Sequence, residues 1–353
     1  MRLGIDIGST TIKLILLGPD DRVLYKKYER HMSNVYVKFT EMIKDLAAIY
    51  PDILCTVTIT GSGGLSLSNL LAIPFEQEVI SCSASVERYI PETDVAIELG
   101  GEDAKITFYG ATLEQRMNGT CAGGTGAFLD QMAVLLSTDA AGLNESAKKH
   151  KLIYPIAARC GVFAKTDIQP LINEGADISD LSASIFQAVV NQTISGLACG
   201  HPIKGKVAFL GGPLSFLSEL RQRFIETLGL DENQVIFPAD SEYFVAIGAA
   251  LLSDRKDARK IDEIFDRLNR ADESQLKESR HLPPLFKDEA EYKYFQNRHE
   301  KDRISRKPLS EANSGLFLGI DAGSTTTKAA LIDAEKNLLY SFYKNNEGKP
   351  LDA

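Results

Sequence analysis

Glycine-rich turns at the ends of hydrophobic strands contain the residues best suited to chemistry. The first turn belongs to the stretch GIDIGSTTIK at residues 4–13, which has Asp6 on its first strand and Lys13 on the returning strand. The residues of the turn itself are Gly8, Ser9, Thr10 and Thr11. Backbone N–H groups in such a turn can bind a phosphate, Lys13 can neutralise phosphate charge, and Asp6 can hold a water molecule on Mg²⁺.

A second turn is acidic as well as rich in glycine. In the stretch IELGGEDAK, Gly100 and Gly101 follow a strand and lie beside three carboxylates. These carboxylates are Glu98, Glu102 and Asp103. Two acidic glycine hairpins can clamp a metal–nucleotide complex from opposite sides, so we predict ATP or ADP with Mg²⁺ as ligand, and Asp6 with these three carboxylates as catalytic residues.

A third turn is predicted to approach the base and ribose of the nucleotide. In VAFLGGPLSF, residues Gly211, Gly212 and Pro213 lie between a strand and a helix, and glycine lets the backbone approach a flat ligand closely. Neither a Walker A nor a Rossmann sequence is present in context. In this order and spacing the three turns resemble the actin, Hsp70 and sugar-kinase ATPase superfamily, which implies two duplicated ribonuclease H-like lobes. The alternation of predicted strands and helices also indicates an α/β protein.

Two cysteines each precede a predicted helix. Cys121 comes before a helix predicted at 124–137, and Cys160 comes before a helix predicted at 161–174. A helix N-terminus has unpaired N–H groups and about half a positive charge, which lowers the pKa of a thiol and favours a bound anion. A thiolate-ligated iron–sulfur cluster is such an anion, and a twofold interface would supply the four thiolates of a [4Fe–4S] cluster. The remaining cysteines are predicted to pack in the interior; they are Cys55, Cys82 and Cys199.

Composition excludes several classes of protein. With 353 residues, of which 44% are hydrophobic, the chain can bury a substantial core in two or more lobes. The formal net charge of −9 argues against broad binding to nucleic acid or to anionic membranes. The five scattered cysteines are not a disulfide framework. No run approaches the roughly 18 apolar residues of a membrane helix, and no leader pattern is present, so we predict a cytoplasmic location.

Four segments together carry a more specific resemblance. GIDIGSTTIK, LGGEDAK, NGTCAGGTGAFLDQMA and ARCGVFAKTD resemble the activators of 2-hydroxyacyl-CoA dehydratases, in the BadF/BcrA-type ATPase family that also serves benzoyl-CoA reductases. The resemblance covers about residues 3–252. It implies that Cys121 and Cys160 hold one [4Fe–4S] cluster between two subunits, and that ATP drives a low-potential electron into a partner dehydratase or reductase. It also implies an anaerobic setting and reduced ferredoxin or flavodoxin as the electron source.

The opening of the chain is repeated near its end. Residues 3–17 and 318–332 are identical at ten of fifteen positions, with an offset of 315 residues. We therefore expect a fragment of a longer protein with an exposed strand edge in the repeated hairpin, and either a homodimer or two activase domains paired within one chain. The predicted domains are an N-terminal ATPase lobe, a second lobe with the cluster-binding helices, a charged helical connector and the truncated start of a second activase domain, at residues 1–95, 96–252, 253–314 and 315–353.

Two other functions remain open at this point. A small-molecule kinase of the same superfamily would need an aspartate placed to deprotonate a substrate hydroxyl, and it would leave the two cysteine segments without a role. An ATP-binding regulatory module would need neither a catalytic aspartate nor the two cysteine segments. The iron and sulfide content of anaerobically purified protein distinguishes these possibilities from an electron donor.

Overall fold

Strands and helices alternate along the chain in two similar series. The computed structural model describes residues 1–110, 112–118, 123–157, 161–253, 258–270, 282–312, 315–323 and 325–346. The strands of the first series are β1 (Arg2–Ile7), β2 (Thr11–Leu17), β3 (Val23–Arg30) and β4 (Leu54–Thr60). Its helices are α1 (Val35–Ile49), α2 (Gly64–Leu71) and α3 (Glu78–Tyr89).

The second series begins with three more antiparallel strands. Its strands are β5 (Val95–Leu99), β6 (Ala104–Tyr109), β7 (Leu113–Met117), β8 (Val207–Leu210) and β9 (Val235–Ile236). Its helices are α4 (Gly126–Leu135), α5 (Ala140–Ala147), α6 (Gly161–Asn173), α7 (Ile178–Thr193), α8 (Gly212–Phe216), α9 (Ser218–Leu228) and α10 (Phe244–Leu252). A short strand and a helix follow, β10 (Arg259–Lys260) and α11 (Ile261–Arg270).

The two five-stranded sheets share one strand order. The first reads β3-β2-β1-β4-β10 and the second reads β7-β6-β5-β8-β9. In each sheet the first three strands of the series are antiparallel, and the fourth is parallel to the first. A parallel neighbour requires a crossover connection, which α1 provides in the first sheet and α4 to α7 provide in the second. This repeated order is the one expected of duplicated ribonuclease H-like lobes.

The strand β1 is buried on both faces, which explains its nearly continuous apolar sequence. Leu3 and Ile5 pack in a core cluster that includes Phe39 of α1. On β2, Ile15 and Leu17 pack in a second cluster that includes residues of α10. Full burial of each such side chain is worth about 1.5–3 kcal/mol, so the hairpin of β1 and β2 is held firmly between two cores.

Residues 258–270, in the charged segment after α10, pack against the first sheet. Strand β10 pairs antiparallel with β4, and α11 buries Ile261, Ile264 and Leu268 in the cluster that contains Leu3. Spacings of three and four residues put these side chains on one face of the helix, so the charged residues occupy the other. This segment lies inside the predicted connector; the predicted limits of all four domains stay predictions.

The observed helices differ from the predicted ones in three respects. The sequence pattern predicts one helix over residues 214–228, but the structure has two, α8 and α9, because Leu217 has an extended backbone with φ −108° and ψ 91°. The pattern also predicts one helix over residues 179–198, and this segment is α-helical to Thr193 and then forms a π-helical turn. Helices α2 and α5 were not predicted, since eight residues are too few for a clear periodic pattern.

By its internal contacts the chain divides into two compact units. The first comprises residues 1–167 and 177–277, and the second comprises residues 168–176 and 278–353. No helix in the described ranges is both long enough and apolar enough to cross a membrane.

The second unit contains the repeated hairpin. After residue 278 its helix is α12 (Glu289–Glu300), and its strands are β11 (Phe317–Ala322), β12 (Thr326–Ile332) and β13 (Leu338–Asn345). The repeated hairpin consists of β11 and β12. The three strands form an antiparallel sheet in chain order. All six residues of β11 are exposed, and within the described part of the chain β11 pairs with β12 alone. The exposed strand edge expected from the sequence is therefore present.

Candidate nucleotide-binding site

One pocket in the first unit is lined by residues of all three predicted turns. Nine predicted site residues line it: Thr10, Thr11, Lys13, Glu98, Gly100, Gly101, Gly211, Gly212 and Pro213. Apolar side chains complete much of the lining, among them Leu129, Phe216 and Leu217. Hydroxyls, glycine backbone and a lysine suit a phosphate chain, and the apolar side chains suit a purine base. The other predicted residues lie in the same hairpins outside this lining; they are Asp6, Gly8, Ser9, Glu102 and Asp103.

Asp6 and Lys13 form a buried ion pair next to the first glycine turn (residues 8–11). They lie opposite each other on β1 and β2, and Lys13 Nζ donates to Asp6 Oδ2 at 2.6 Å. Burial lowers the pKa of Lys13, but Asp6, Tyr28 and Glu98 together raise it more, so the pKa lies above its ordinary value. Lys13 is therefore a charged ammonium group in the pocket lining, where it can attract phosphate.

The second hairpin repeats this pair. Glu98 lies opposite Lys105, and the two are seven residues apart, as are Asp6 and Lys13. Lys105 Nζ is 3.6 Å from Glu98 Oε1 and also donates to the carboxylate of Glu78 on α3. Burial lowers the pKa of Lys105, but the two glutamates raise it more, so the pKa is raised overall. Lys105 was not among the predicted site residues, and the repeated seven-residue spacing between acid and lysine is the signal that could have identified it.

The first glycine turn and the second glycine turn (residues 100–103) are in direct contact. A Cβ atom added at Gly101 would lie 2.2 Å from Thr10 Oγ1 and 3.0 Å from Thr10 Cβ. The absence of a side chain at Gly101 therefore permits the two turns to approach each other. This contact is the geometric basis for a clamp on a nucleotide from two sides.

We expect Gly101→Ala to destabilise the protein by about 1–3 kcal/mol, because the new methyl group must push Thr10 away. Adding Thr10→Ala removes the Oγ1 and Cγ2 atoms that the new methyl group would meet. The double variant should therefore regain part of the lost stability. Urea unfolding of the two single variants and the double variant measures this coupling as a departure from additivity of about 1 kcal/mol. Strict additivity would show that the two turns do not touch.

Gly211 joins three parts of the pocket. It lies between β8 and α8 with φ +87° and ψ 160°, a conformation essentially restricted to glycine. A Cβ atom here would lie 2.1 Å from the carbonyl oxygen of Leu99, which precedes the second glycine turn. The N–H of Gly211 donates to the carbonyl oxygen of Ser241 at 3.1 Å. Gly211 therefore fixes the position of the third glycine turn (residues 211–213) relative to the second glycine turn.

Two residues of β3 reach the pocket although no sequence pattern connected β3 with the site. The Arg30 guanidinium donates to both carboxylate oxygens of Asp130 on α4, at 2.7 and 3.2 Å. The hydroxyl of Tyr28 lies 2.7 Å from where a Cβ of Gly212 would be. Local sequence could not pair Arg30 with Asp130, because they are 100 residues apart and only the fold brings them together.

The two predicted cluster ligands, Cys121 and Cys160, lie outside the described residues. Cys55 and Cys82 are buried as predicted, and burial raises the pKa of both thiols, to about 12 at Cys55. Cys199 is exposed, so the packing role predicted for it is wrong. It ends the π-helical turn in a left-handed conformation with φ +47°, which places it at the surface.

We refer to residues 119–125 as the Cys121 segment. The chain that leads into this segment is hydrogen-bonded to the second glycine turn. The backbone N–H of Asn118 donates to the carbonyl oxygen of Ala104, and its side-chain amide donates to the carbonyl oxygen of Glu102, both at 3.0 Å. The Ala104 N–H donates in return to Asn118 Oδ1 at 2.8 Å. Asn118 thus ties the end of β7 to this turn.

The chain that leaves the Cys121 segment is bound to the same turn. At the start of α4, the N–H groups of Gly126 and Ala127 donate to the carbonyl oxygens of Gly100 and Gly101, at 3.0 and 2.7 Å. The positive end of this helix is therefore directed at the second glycine turn. Both ends of the segment that contains Cys121 are anchored to a turn that lines the pocket.

Within the described ranges, no group of three or more His, Cys, Asp or Glu side chains is arranged to hold a metal ion. Asp6 accepts a hydrogen bond from Lys13, and the sequence predicts that it also holds a water molecule on Mg²⁺. That assignment and the roles of the other site residues stay predictions.

Comparisons with known proteins agree with this geometry. Residues 3–253 match the BadF/BadG/BcrA/BcrD ATPase family. The chain is 30% identical to the (R)-2-hydroxyglutaryl-CoA dehydratase activating ATPase of Acidaminococcus fermentans, over 73% of this chain and 98% of that protein. The crystal structure of component A of the Acidaminococcus fermentans dehydratase superposes with a TM-score of 0.60 at 29% identity, covering 72% of this chain and 98% of that one.

A second solved structure contains a nucleotide analogue. The activator of 2-hydroxyisocaproyl-CoA dehydratase from Clostridium difficile, with bound ADPNP, superposes with a TM-score of 0.61 at 25% identity, covering 77% of this chain and 98% of that one. The predicted actin, Hsp70 and sugar-kinase type of fold is confirmed by these matches and by the repeated sheet order.

Proposed function

Because this chain belongs to the BadF/BadG/BcrA/BcrD ATPase family, we propose that it is an ATP-dependent activator that passes a low-potential electron to a partner enzyme. The names of its relatives, activators of 2-hydroxyglutaryl-CoA and 2-hydroxyisocaproyl-CoA dehydratases, support a CoA-dehydratase or related reductase as that partner. Reduced ferredoxin or flavodoxin is the proposed electron source.

The pocket residues have separate roles in this proposal. Lys13 and the two glycine turns bind the phosphate chain, with Mg²⁺ held through water near Asp6. Gly211, Gly212 and Pro213 bind the adenosine. Glu98, which lines the pocket, is the carboxylate best placed to orient an attacking water molecule.

The main support for the proposal is the set of hydrogen bonds that anchor the Cys121 segment. Four hydrogen bonds from its flanks, two from Asn118 and two from the first residues of α4, end on carbonyl oxygens of residues 100–104. A change in the second glycine turn on binding or hydrolysis of nucleotide would therefore move both ends of this segment together. A pure kinase would have no use for such a connection.

The cysteine content fits a [4Fe–4S] cluster. Each chain supplies Cys121 and Cys160, so two chains or two paired activase domains supply the four thiolates that such a cluster takes. Cys160 directly precedes α6 in the sequence, where a helix N-terminus favours thiolate. When bound, the cluster supplies the low-potential electron, while the described residues bind ATP and couple its state to the Cys121 segment.

We expect anaerobic reconstitution with iron and sulfide to give about four iron atoms per pair of chains, with an absorbance band near roughly 400 nm. Cys121→Ala should lose most of this iron, because one ligand per chain is removed. Cys199→Ala is the matched control, since that thiol is exposed and unassigned, and it should retain the iron. Iron and sulfide analysis together with the visible spectrum provides the measurement.

Two outcomes contradict the proposal. Equal iron content in the Cys121→Ala and Cys199→Ala variants would remove the cluster assignment. ATP turnover that depends on an added sugar or other small alcohol, in iron-free protein, would identify a kinase.

A further inference from the structure

His31, which follows β3 directly, is hydrogen-bonded to the first glycine turn through both its backbone and its side chain. Its N–H donates to the carbonyl oxygen of Thr10, and its Nε2 lies 3.2 Å from the carbonyl oxygen of Gly8. A carbonyl only accepts, so Nε2 carries the hydrogen, while Nδ1 accepts from the N–H of Ser33 at 3.1 Å. These partners assign the neutral Nε2–H tautomer to a side chain that is 6% exposed.

The bond to Gly8 orients the turn. The C=O and N–H of one planar trans peptide point in opposite directions. Holding the Gly8 carbonyl toward His31 therefore directs the N–H of Ser9 away from His31. A second bond at Thr10 fixes the far side of the turn, so that its backbone is held at two points before any ligand arrives.

In the repeated hairpin a different residue makes the same two hydrogen bonds to the turn. Asn346 lies 315 residues after His31, which is the offset of the sequence repeat. Its N–H donates to the carbonyl oxygen of Thr325 at 2.9 Å, and its Nδ2 donates to the carbonyl oxygen of Gly323 at 2.7 Å. The two carbonyls are those of the positions that match Thr10 and Gly8. Imidazole and carboxamide both present a short-reach N–H donor, and in both hairpins that donor meets the carbonyl oxygen of the matching glycine. We therefore take the donor to be the feature that the position requires.

The second hairpin has a related contact at a different position of the turn. Asn118 directly follows β7, as His31 directly follows β3, and its side-chain amide donates to the carbonyl oxygen of Glu102, the position that matches Thr10. In each of the three hairpins, the residue after the third strand therefore donates a side-chain N–H to the turn.

We propose that His31 is a positioning residue that holds the first glycine turn in the shape that binds nucleotide phosphate. It does so by donating the Nε2 hydrogen to Gly8, and it does not touch the nucleotide. The inference rests on the ATP-binding part of the proposed function and is independent of the iron–sulfur part.

The test is the affinity of the 353-residue chain for the fluorescent analogue mant-ATP. His31→Leu leaves the Gly8 carbonyl without its buried donor, and the expected result is a Kd raised about 10-fold, equivalent to about 1.4 kcal/mol. His31→Asn restores an amide donor of the kind present at Asn346, and its Kd should stay within about 2-fold of the unsubstituted protein. In steady-state ATP turnover, KM should rise in His31→Leu with a smaller change in kcat.

Asn346→Leu is the matched control, because it removes the same device from the repeated hairpin and should leave the Kd unchanged. Thermal melting of each variant reports whether the chain is folded. Unchanged mant-ATP affinity in His31→Leu would overturn the inference, and so would a folded His31→Asn variant that binds as weakly as His31→Leu. If Cys121→Ala loses iron while His31→Leu binds normally, this inference fails and the proposed function stands.

Discussion

Replacing Gly211 with alanine is expected to lower the free energy of unfolding by about 2–6 kcal/mol and to abolish most nucleotide binding. Two costs add here. The backbone conformation at φ +87° and ψ 160° costs a residue with a side chain about 1–3 kcal/mol. The new Cβ would also lie 2.1 Å from the carbonyl oxygen of Leu99. Displacing the backbone of this central strand to relieve the clash costs about 1–3 kcal/mol more. Urea unfolding and mant-ATP titration measure the two effects.

Gly229→Ala separates the two costs. Gly229 ends α9 with φ +64°, and no atom lies within 4 Å of the place that an alanine methyl group would occupy. Alanine there bears the cost of the left-handed backbone alone, about 1–2 kcal/mol, and should leave mant-ATP binding intact. Equal losses of stability at Gly211 and Gly229 would show that the contact with Leu99 has no part in shaping the pocket.

Replacing Lys13 with alanine is expected to cost about 3–5 kcal/mol of stability, because it leaves the Asp6 carboxylate buried without its partner. ATP turnover should fall by about 100-fold or more, since an ammonium group that stabilises phosphate charge is lost. Urea unfolding and a phosphate-release assay measure these effects.

The chain contains its own control for this substitution. Lys328 Nζ contacts Asp321 Oδ2 at 2.7 Å in the repeated hairpin, with the same seven-residue spacing, but the two side chains are 43% and 63% exposed. Lys328→Ala should therefore leave stability and turnover unchanged, because exposed ion pairs contribute little. Should Lys13→Ala prove too unstable to assay, the double variant Lys13→Met with Asp6→Asn removes both charges. It should regain stability and remain inactive; full activity in this variant would exclude a role for Lys13.

Local pattern in the sequence predicts each hairpin and its chemistry. An acid, a glycine turn and a lysine recur within seven residues, and antiparallel pairing across so short a turn brings acid and lysine face to face with little choice of register. The turns at residues 8–11, 100–103 and 211–213 each have a local glycine pattern, and the structure brings residues of all three into one pocket lining.

Residues that act through distant contacts were not predictable in this way. Lys105 follows the local seven-residue spacing from Glu98 and could have been found from it, but only the structure shows its second partner, Glu78 on a helix earlier in the chain. The sequence indicates only a surface or capping role for His31, because a lone histidine after a strand has many possible partners, and only the structure shows its donor on Gly8. Cys199 was placed in the interior because cysteine is usually buried, whereas here it ends a π-helical turn at the surface.

The sequence by itself determined the paired strands β1–β2 and β5–β6, the three turns, the duplication and the family, since these depend on residue types at short separations. Only the tertiary structure decided that Thr10 meets Gly101, that Arg30 pairs with Asp130, and that both flanks of the Cys121 segment bind the second glycine turn. The first two of these contacts join residues about a hundred positions apart, and they depend on how two sheets and their helices bury apolar surface together. That is a property of the whole core, and no short stretch of sequence contains it.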